Sequence, residues 1–506
     1  MKIDIKILIL AAIIIIIGIV ITPDYGISWD EPDNATYGQQ ALHTYLTFDP
    51  PEEWHSNLES KGPFYMAFSV GFSSVLSRVI PNWSEIEGLH FSYYVSFPLA
   101  VIAFYTLAKK IGGQSGALAA SFLFATQPLL FGHAFINPKD IPFMSFFLIT
   151  MSFGTTSIEH IQSEQSFSKS RWLIVIATGI TLGLTTSLRV IGAFAFLLLF
   201  MWGFYRCGRK FLLPSITIMG VASLTVYASW PYLWAHPIRN LIESLIITLN
   251  FPWDNLVLYR GLVYPVDELP WHFLPFITLI QLTEPLLLLG TIGGLLMITS
   301  LLKKRVAGAS AIFIIYFLWI AIPYGFALTT GSRVYDNSRQ FLFALPPIAL
   351  FTAPAFRKFF DLVKKQWLQA AFVVLMIFPG LFGIFRLHPY EYIYYNALVG
   401  GVRGAYRTYE LDYWGTSYRD AMEYINGVAP RGAVVEVRGP WISASAFARE
   451  DISVRNAGAS QPEGSEPTSY FIVSTRRNED QSTFTGARVI SQIEVLGVPL
   501  TVIKHK

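Results

Sequence analysis

The chain has 506 residues, 53% of them apolar and 14% charged, against about 25% charged in a soluble globular protein. That composition excludes an ordinary water-soluble enzyme. A formal net charge of +3, with no basic run interleaved with aromatics, excludes nucleic acid as a partner. The single cysteine, Cys207, excludes an internal disulfide or a cysteine-built zinc cage.

Residues Ile7–Thr22 form an uninterrupted apolar run after Lys2 and Lys6. It is read as a retained first span, because Thr22-Pro23-Asp24-Tyr25 offers no small-x-small cleavage site. Further windows of spanning length begin near residues 89, 116, 141, 172, 190, 211, 274, 308, 339 and 367, which gives eleven spans. The basic residues orient them, since cytoplasmic loops collect Lys and Arg. With the N-terminus inside, Lys109-Lys110, Lys169 with Arg171, Arg206-Arg209-Lys210, Lys303-Lys304-Arg305, Arg357-Lys358 and Lys364-Lys365 all fall on the cytoplasmic side. Counting the apolar stretch 63–80 as a span would reverse that, so it is read as a helix lying at the outer interface.

Charge thickens toward the end: residues 389–506 hold 25 of the 71 Lys, Arg, Asp and Glu residues. The aromatic run His388–Tyr395 keeps the chain at headgroup level. An amphipathic helix is predicted near 416–427, with Tyr418, Met422 and Ile425 on one face. Strand-like runs follow at Ala433–Arg438, Tyr470–Ser474, Arg488–Val495 and Leu500–Ile503, and 458–467 reads as a flexible loop. The expected fold is a polytopic α-helical membrane module over 1–388, with a first outer loop at 23–88 and a long outer loop at 231–273. A small extracytoplasmic α/β domain over 389–506 completes it.

Polar groups that are not cytoplasmic anchors gather in the outer loops and at helix ends. Ser28-Trp29-Asp30-Glu31-Pro32-Asp33 places adjacent carboxylates just beyond the first span. Partial desolvation there would raise one pKa toward the range of a general base. A structural reading stands beside it, in which Ser28 or Asp30 caps a helix through Thr36 to Tyr45 and Glu31 stabilises its first turn. The same loop supplies Glu59 and Lys61, of which Lys61 suits a lipid phosphate or merely a headgroup. Asn137-Pro138-Lys139-Asp140 fits a helix start, which accounts for Asp140 better than for Lys139 beside it or for His133. Arg189 stands alone between two apolar spans, as an interfacial anchor or a phosphate partner. The long loop interleaves Arg239 and Arg260 with carboxylates and with Trp234, Trp253-Asp254 and Trp271-His272, and Arg333 and Arg339 stand at the mouth of a later helix. Guanidinium groups there suit a phosphate-linked lipid.

In order, Asp30-Glu31, the Lys61-Gly-Pro helix start, Asn137-Pro-Lys-Asp140, Pro270-Trp-His-Phe-Leu-Pro275 and Tyr335-Asp-Asn-Ser-Arg339 resemble the GT-C membrane glycosyltransferases. The branch is that of the bacterial relatives of protein O-mannosyltransferases and aminoarabinose transferases. The likeness covers about residues 1–400, and the tail through Asp412-Tyr-Trp-Gly415 looks like that of other bacterial members. It implies a polyprenyl-phosphate sugar donor and inverting transfer to an acceptor on the outer face of the cytoplasmic membrane. The acceptor is a protein, a glycolipid or a polysaccharide. By the same resemblance Asp30 is the base, Glu31 orients or assists it, and Asp140 occupies the second acidic position. Lys61, Lys139, Arg189, Arg260 and Arg339 are the expected donor-phosphate contacts. The aminoarabinose branch has an acidic residue directly before the lysine, whereas here Ser60 precedes Lys61 and Glu59 lies one place further back. No metal ligand is therefore carried over, no cofactor is assigned, and a divalent cation stays an open alternative. A flippase for a lipid-linked saccharide is the main rival, although neither repeated halves nor broken mid-membrane helices are read in the sequence. A non-catalytic scaffold would leave the loop carboxylates without a use.

Overall fold

The computed structural model describes residues 4–163, 169–249, 256–303, 309–331, 333–458 and 470–506. Lys2, Trp253, Asp254, Lys304, Arg305, Ser332 and the part of the predicted loop from 459 onward lie outside these.

Apolar runs become helices because a chain in lipid must satisfy its backbone polar groups internally. The first, Ile5–Ile21, turns Ile7, Leu10 and Ile14 inward while Ile9, Ile13 and Ile16 stay exposed. Gly18 lets the Tyr94 ring lie against the helix, so that the Tyr94 hydroxyl donates to the Ile14 carbonyl at 2.8 Å.

Among the described residues, eight helical stretches are long and apolar enough to cross a membrane. Two of them, Glu85–Ala125 and Val190–Ser229, run for 41 and 40 residues, about twice the roughly 20 residues that one crossing needs. Each is broken at a glycine with positive φ: Gly113 (φ 68°) in the first and Gly208 (φ 56°) in the second. The window expected from residue 274 starts instead at Glu284. A nine-residue helix, Phe273–Gln281, stops before it, and Pro285 in the next helix's first turn opens Glu284–Leu302. The window near 339 is a 3-10 turn, Arg339–Ala344, followed by short helices Pro346–Leu350 and Thr352–Leu362. Gly112 and Gly116 let Ala353 pack against the backbone of helix Ser96–Ala125, the close approach that small residues permit between membrane helices.

In the segment expected as the first outer loop, helix Phe64–Val79 has 16 residues, about 24 Å of rise and short of a crossing. It packs between helices Glu31–Thr47 and Glu85–Tyr94.

The tail carries the expected helix, Tyr418–Val428, with Tyr418, Ala421, Met422 and Ile425 buried. A hairpin in the long loop provides β1 (Leu256–Tyr259) and β2 (Leu262–Pro265). The tail then provides β3 (Val434–Arg438), β4 (Ser453–Asn456), β5 (Tyr470–Ser474), β6 (Arg488–Val495) and β7 (Val498–His505). Their order is β4-β3-β5-β7-β6. The pairs β3–β4 and β3–β5 are parallel, and β5–β7 and β6–β7 antiparallel. β4 escapes sequence reading because Ser-Val-Arg-Asn at a sheet edge has no apolar alternation.

Candidate active site

The predicted site residues sit at helix ends. Asp30 immediately precedes helix Glu31–Thr47, Lys61 precedes Phe64–Val79 and Asp140 opens Asp140–Ser163. Arg189 follows Lys169–Leu188, and Arg339 opens its 3-10 turn.

Asp30 stands at the N-cap of its helix, yet its side chain makes no capping bond. Its Oδ2 lies 3.2 Å from Lys139 Nζ and 3.6 Å from Arg339 Nη1. Burial pushes the Asp30 carboxyl up, but Lys139, Arg339 and Lys61 together outweigh it and hold the group well below the usual carboxylate range. Lys61 feels the converse. Burial first, then the like charges of Lys139 and Arg189, push its ammonium well below the ordinary lysine value.

Asp140 is buried and pairs with Arg189 Nη2, while its Oδ2 lies 3.6 Å from Arg339 Nη1. Asn137 organises this helix start. Its Oδ1 accepts from the Lys139 and Asp140 amides at 3.1 and 2.8 Å, and its Nδ2 donates to Asp140 Oδ2 at 2.9 Å. Trp414 Nε1 donates to His133 Nδ1 at 3.3 Å, and His133 Nε2 is 2.9 Å from the Tyr413 hydroxyl. His133 thus fastens the tail motif Asp412-Tyr-Trp-Gly415 to helix Pro128–Ile136. Asp412 itself is buried among hydroxyls: Tyr392 and Ser417 donate to it, as does the Thr416 amide at 3.0 Å. Burial outweighs those donors and lifts its carboxyl to about 6.

Glu31 points elsewhere. Its Oε2 accepts from the Ser28 amide at 2.5 Å and its Oε1 lies 2.9 Å from His90 Nε2. Glu31 is the first residue of its helix, and its carboxylate ties the helix start back to the Ser28 amide and across to His90. Arg260 also stands apart. It occupies the exposed turn between β1 and β2, with φ 54°, where its charge acts on Tyr259 and Tyr409. The loop's interleaving of arginine with aromatics gave no means of telling a hairpin tip from a cavity wall.

Lys61, Lys139, Arg189 and Arg339 thus gather around Asp30 and Asp140. The Nε atoms of Arg189 and Arg339 are buried without a hydrogen-bond partner among the described residues. Buried guanidinium donors are costly to leave unmatched, which suits a site that binds an anion. Arg339 also stacks 4.5 Å from the Trp414 ring centroid and pairs at 2.8 Å with Asp336 Oδ2. Sequence reasoning missed Asp336 as a partner, along with Glu410 and Arg476, which meet it from the tail. The available signal was Glu410, two places before Asp412 in the tail motif. Among the described residues no group of three or more His, Cys, Asp or Glu side chains is placed to hold a metal ion.

A shallow, open apolar groove of about 600 Å³ is lined by Tyr45, Phe64, Ile180, Val221, Leu224 and Thr225, with Ala228 and Ser229. It begins next to the Lys61 turn, since Gly62 N–H donates to the Ser187 carbonyl at 2.7 Å and the Tyr45 hydroxyl donates to the Ser229 carbonyl at 2.7 Å.

The family model described as dolichyl-phosphate-mannose-protein mannosyltransferase matches residues 81–249, which include Asn137–Asp140 and Arg189. No curated protein matches the sequence. Among solved structures, ArnT from Cupriavidus metallidurans in the apo state aligns over 98% of this chain and 96% of its own, at 11% identity and a TM-score of 0.53. The same protein bound to undecaprenyl phosphate aligns over 98% and 97%, at 11% identity and a TM-score of 0.50. The oligosaccharyltransferase AglB from Archaeoglobus fulgidus, in complex with an inhibitory peptide and a dolichol-phosphate, aligns over 93% of this chain and 69% of its own, at 14% identity and a TM-score of 0.52. At these identities the likeness is one of fold, and the fold is the GT-C membrane glycosyltransferase fold that the sequence motifs resemble.

Proposed function

We propose that this GT-C-fold membrane protein is a glycosyltransferase that moves a sugar from a polyprenyl-phosphate donor to an acceptor nucleophile. The observation that carries this reading is the gathering of Lys61, Lys139, Arg189 and Arg339 around Asp30 at one end of an apolar groove. A phosphate headed by a long hydrocarbon needs both halves of that arrangement. The two similar structures solved with lipid phosphates, undecaprenyl phosphate in one and dolichol-phosphate in the other, support the same class of ligand.

In this reading Lys61, Lys139, Arg189 and Arg339 hold the donor phosphate and the polyprenyl chain lies along the groove. Asp30 takes the proton of the acceptor hydroxyl or amine as that atom attacks the anomeric carbon. The bond from the anomeric carbon to the phosphate oxygen breaks on the opposite side, which inverts the configuration. The leaving group departs as an anion already matched by fixed cations, so no acid need protonate it. Asp140 keeps Arg189 and Arg339 in place, and Glu31 supports the Asp30 turn through Ser28. The gathering of Lys and Arg in the loops read as cytoplasmic supports an outer-face location for this chemistry.

The test is transfer by the purified full chain in lipid nanodiscs, supplied with undecaprenyl-phosphate sugars and membrane extract as acceptor source. Lipid extracts of cells lacking the protein identify the donor by the polyprenyl-phosphate sugar that accumulates. Movement of the intact lipid-linked sugar between leaflets, with no sugar released from the lipid, would replace the transferase by a flippase.

A further inference from the structure

The sheet domain of the tail reaches into the cationic cluster through one residue. Arg476 leaves β5 in the 3-10 turn Arg476–Asn478. Its Nη2 pairs with Asp336 Oδ1, its Nε lies 3.3 Å from Glu410 Oε1, and its Nη1 donates to the Tyr413 carbonyl at 3.2 Å. Asp336 spends its other oxygen on Arg339 Nη2 at 2.8 Å, and Arg339 Nη1 stands 3.6 Å from both Asp30 and Asp140. A continuous line of ionic contacts therefore runs from the buried Arg476, Asp336 and Arg339 to the half-buried Asp30.

Two further observations give the line a purpose. Asp336 and Asn337 both lie in the left-handed region, with φ 54° and 59°. Two successive residues there are unfavourable without external support. In addition, burying an arginine between carboxylates carries a desolvation cost that an apolar side chain of similar volume would avoid. What the arginine supplies instead is a rigid fork that fixes two carboxylates at once.

We propose that Arg476 is a positioning residue of the transfer site, which sets Arg339 toward the donor phosphate through Asp336 and so makes the C-terminal sheet domain part of that site. This rests on Arg339 being a phosphate ligand, as read above. The experiment uses the full chain in nanodiscs with undecaprenyl phosphate as the probe. Arg476→Gln is expected to weaken binding about tenfold and to slow transfer by on the order of a hundredfold, the scale of loss for a misplaced binding group. Arg476→Lys recovers part of the affinity, because an ammonium reaches one carboxylate but cannot bridge two. The double variant Arg476→Gln with Asp336→Asn binds no more weakly than the worse single variant, since both act along one line. A purely structural role would lower the thermal midpoint and leave the affinity of the folded protein unchanged.

Wild-type affinity in folded Arg476→Gln, or losses that add in the double variant, would overturn the proposal. If Arg476→Gln does not fold, Asp336→Asn and Arg476→Lys carry the same cycle with the same two outcomes. A wild-type chain that binds no undecaprenyl phosphate overturns the functional reading itself, which separates that failure from this one.

Discussion

Replacing Asp30 by asparagine should divide binding from chemistry. Asp30 Oδ2 already holds Lys139 at 3.2 Å and Arg339 at 3.6 Å, so a donor phosphate competes with it for the same cations. A phosphate oxygen shared by those two cations would lie roughly 5 Å from the carboxylate, and two unit charges at that distance repel by about 3 kcal/mol at an effective dielectric of about 20. The Asp30 side chain is 30% exposed, and solvent screening brings the net effect down to about 1.4 kcal/mol, or about tenfold in affinity. Asp30→Asn is therefore expected to bind undecaprenyl phosphate about tenfold more tightly while transfer falls by roughly 10² to 10⁴-fold, the usual contribution of a general base. Titration of lipid phosphate into nanodisc-embedded protein gives the first quantity and a single-turnover transfer assay the second. Weaker lipid binding in the variant would refute the competition. Turnover at the wild-type rate would remove Asp30 as the base.

Other substitutions probe the surrounding arrangement. Arg189→Ala removes the cation paired directly with the Asp140 carboxylate, which is 2% exposed, and leaves Arg339 at 3.6 Å and the adjacent Lys139. Breaking a buried pair costs about 3 kcal/mol or more, so the thermal midpoint should drop and should recover when Asp140→Asn is added; an unchanged midpoint would show that Arg189 is not needed there. Arg260→Ala should keep lipid-phosphate affinity and transfer within about twofold, as befits an exposed position, and a larger loss measured in the same assays would bring the hairpin tip into the site. The ring of His388 lies between Glu391 Oε1 at 2.8 Å and Asp24 Oδ2 at 2.9 Å. Burial alone would lower its pKa, but the two carboxylates raise it from 6.5 to about 8. The proton is bound more tightly in the folded protein, so its stabilisation is complete below pH 6.5 and is lost as pH rises through about 8. Thermal midpoints recorded from pH 6 to 9 should decline in the wild type, and His388→Gln should flatten that decline.

What could be read from the sequence divides along physical lines. Spans and the tail's helix and strands were legible because apolar runs and periodicity are local signals. The span near 274 was misplaced by about ten residues because an apolar run cannot reveal an internal break, and Leu282-Thr283-Glu284-Pro285 is a break made by one proline. Lys61, Lys139, Arg189 and Arg339 stood out because isolated charges beside apolar spans need a reason. Glu31 did not differ from Asp30 on those grounds, and only the position of His90 from a later helix distinguishes them. Arg476 was illegible for a related reason. It lies 140 positions from Asp336, in a tail where charge is common, so neither spacing nor local composition marks it.

The low charge of the chain gives this cluster its physical meaning. Lys61 is disfavoured as an ammonium, by burial and then by Lys139 and Arg189, while Asp30 is kept strongly acidic by Lys139, Arg339 and Lys61. A carboxylate in that state is a poor base, because the cations that stabilise its charge also reduce its affinity for a proton. A phosphate anion among the same side chains would reverse both effects: it favours the Lys61 ammonium and relieves the cationic field on Asp30. A phosphate that draws Lys139 and Arg339 from Asp30, which they approach at 3.2 and 3.6 Å, would thus leave that carboxylate a stronger base.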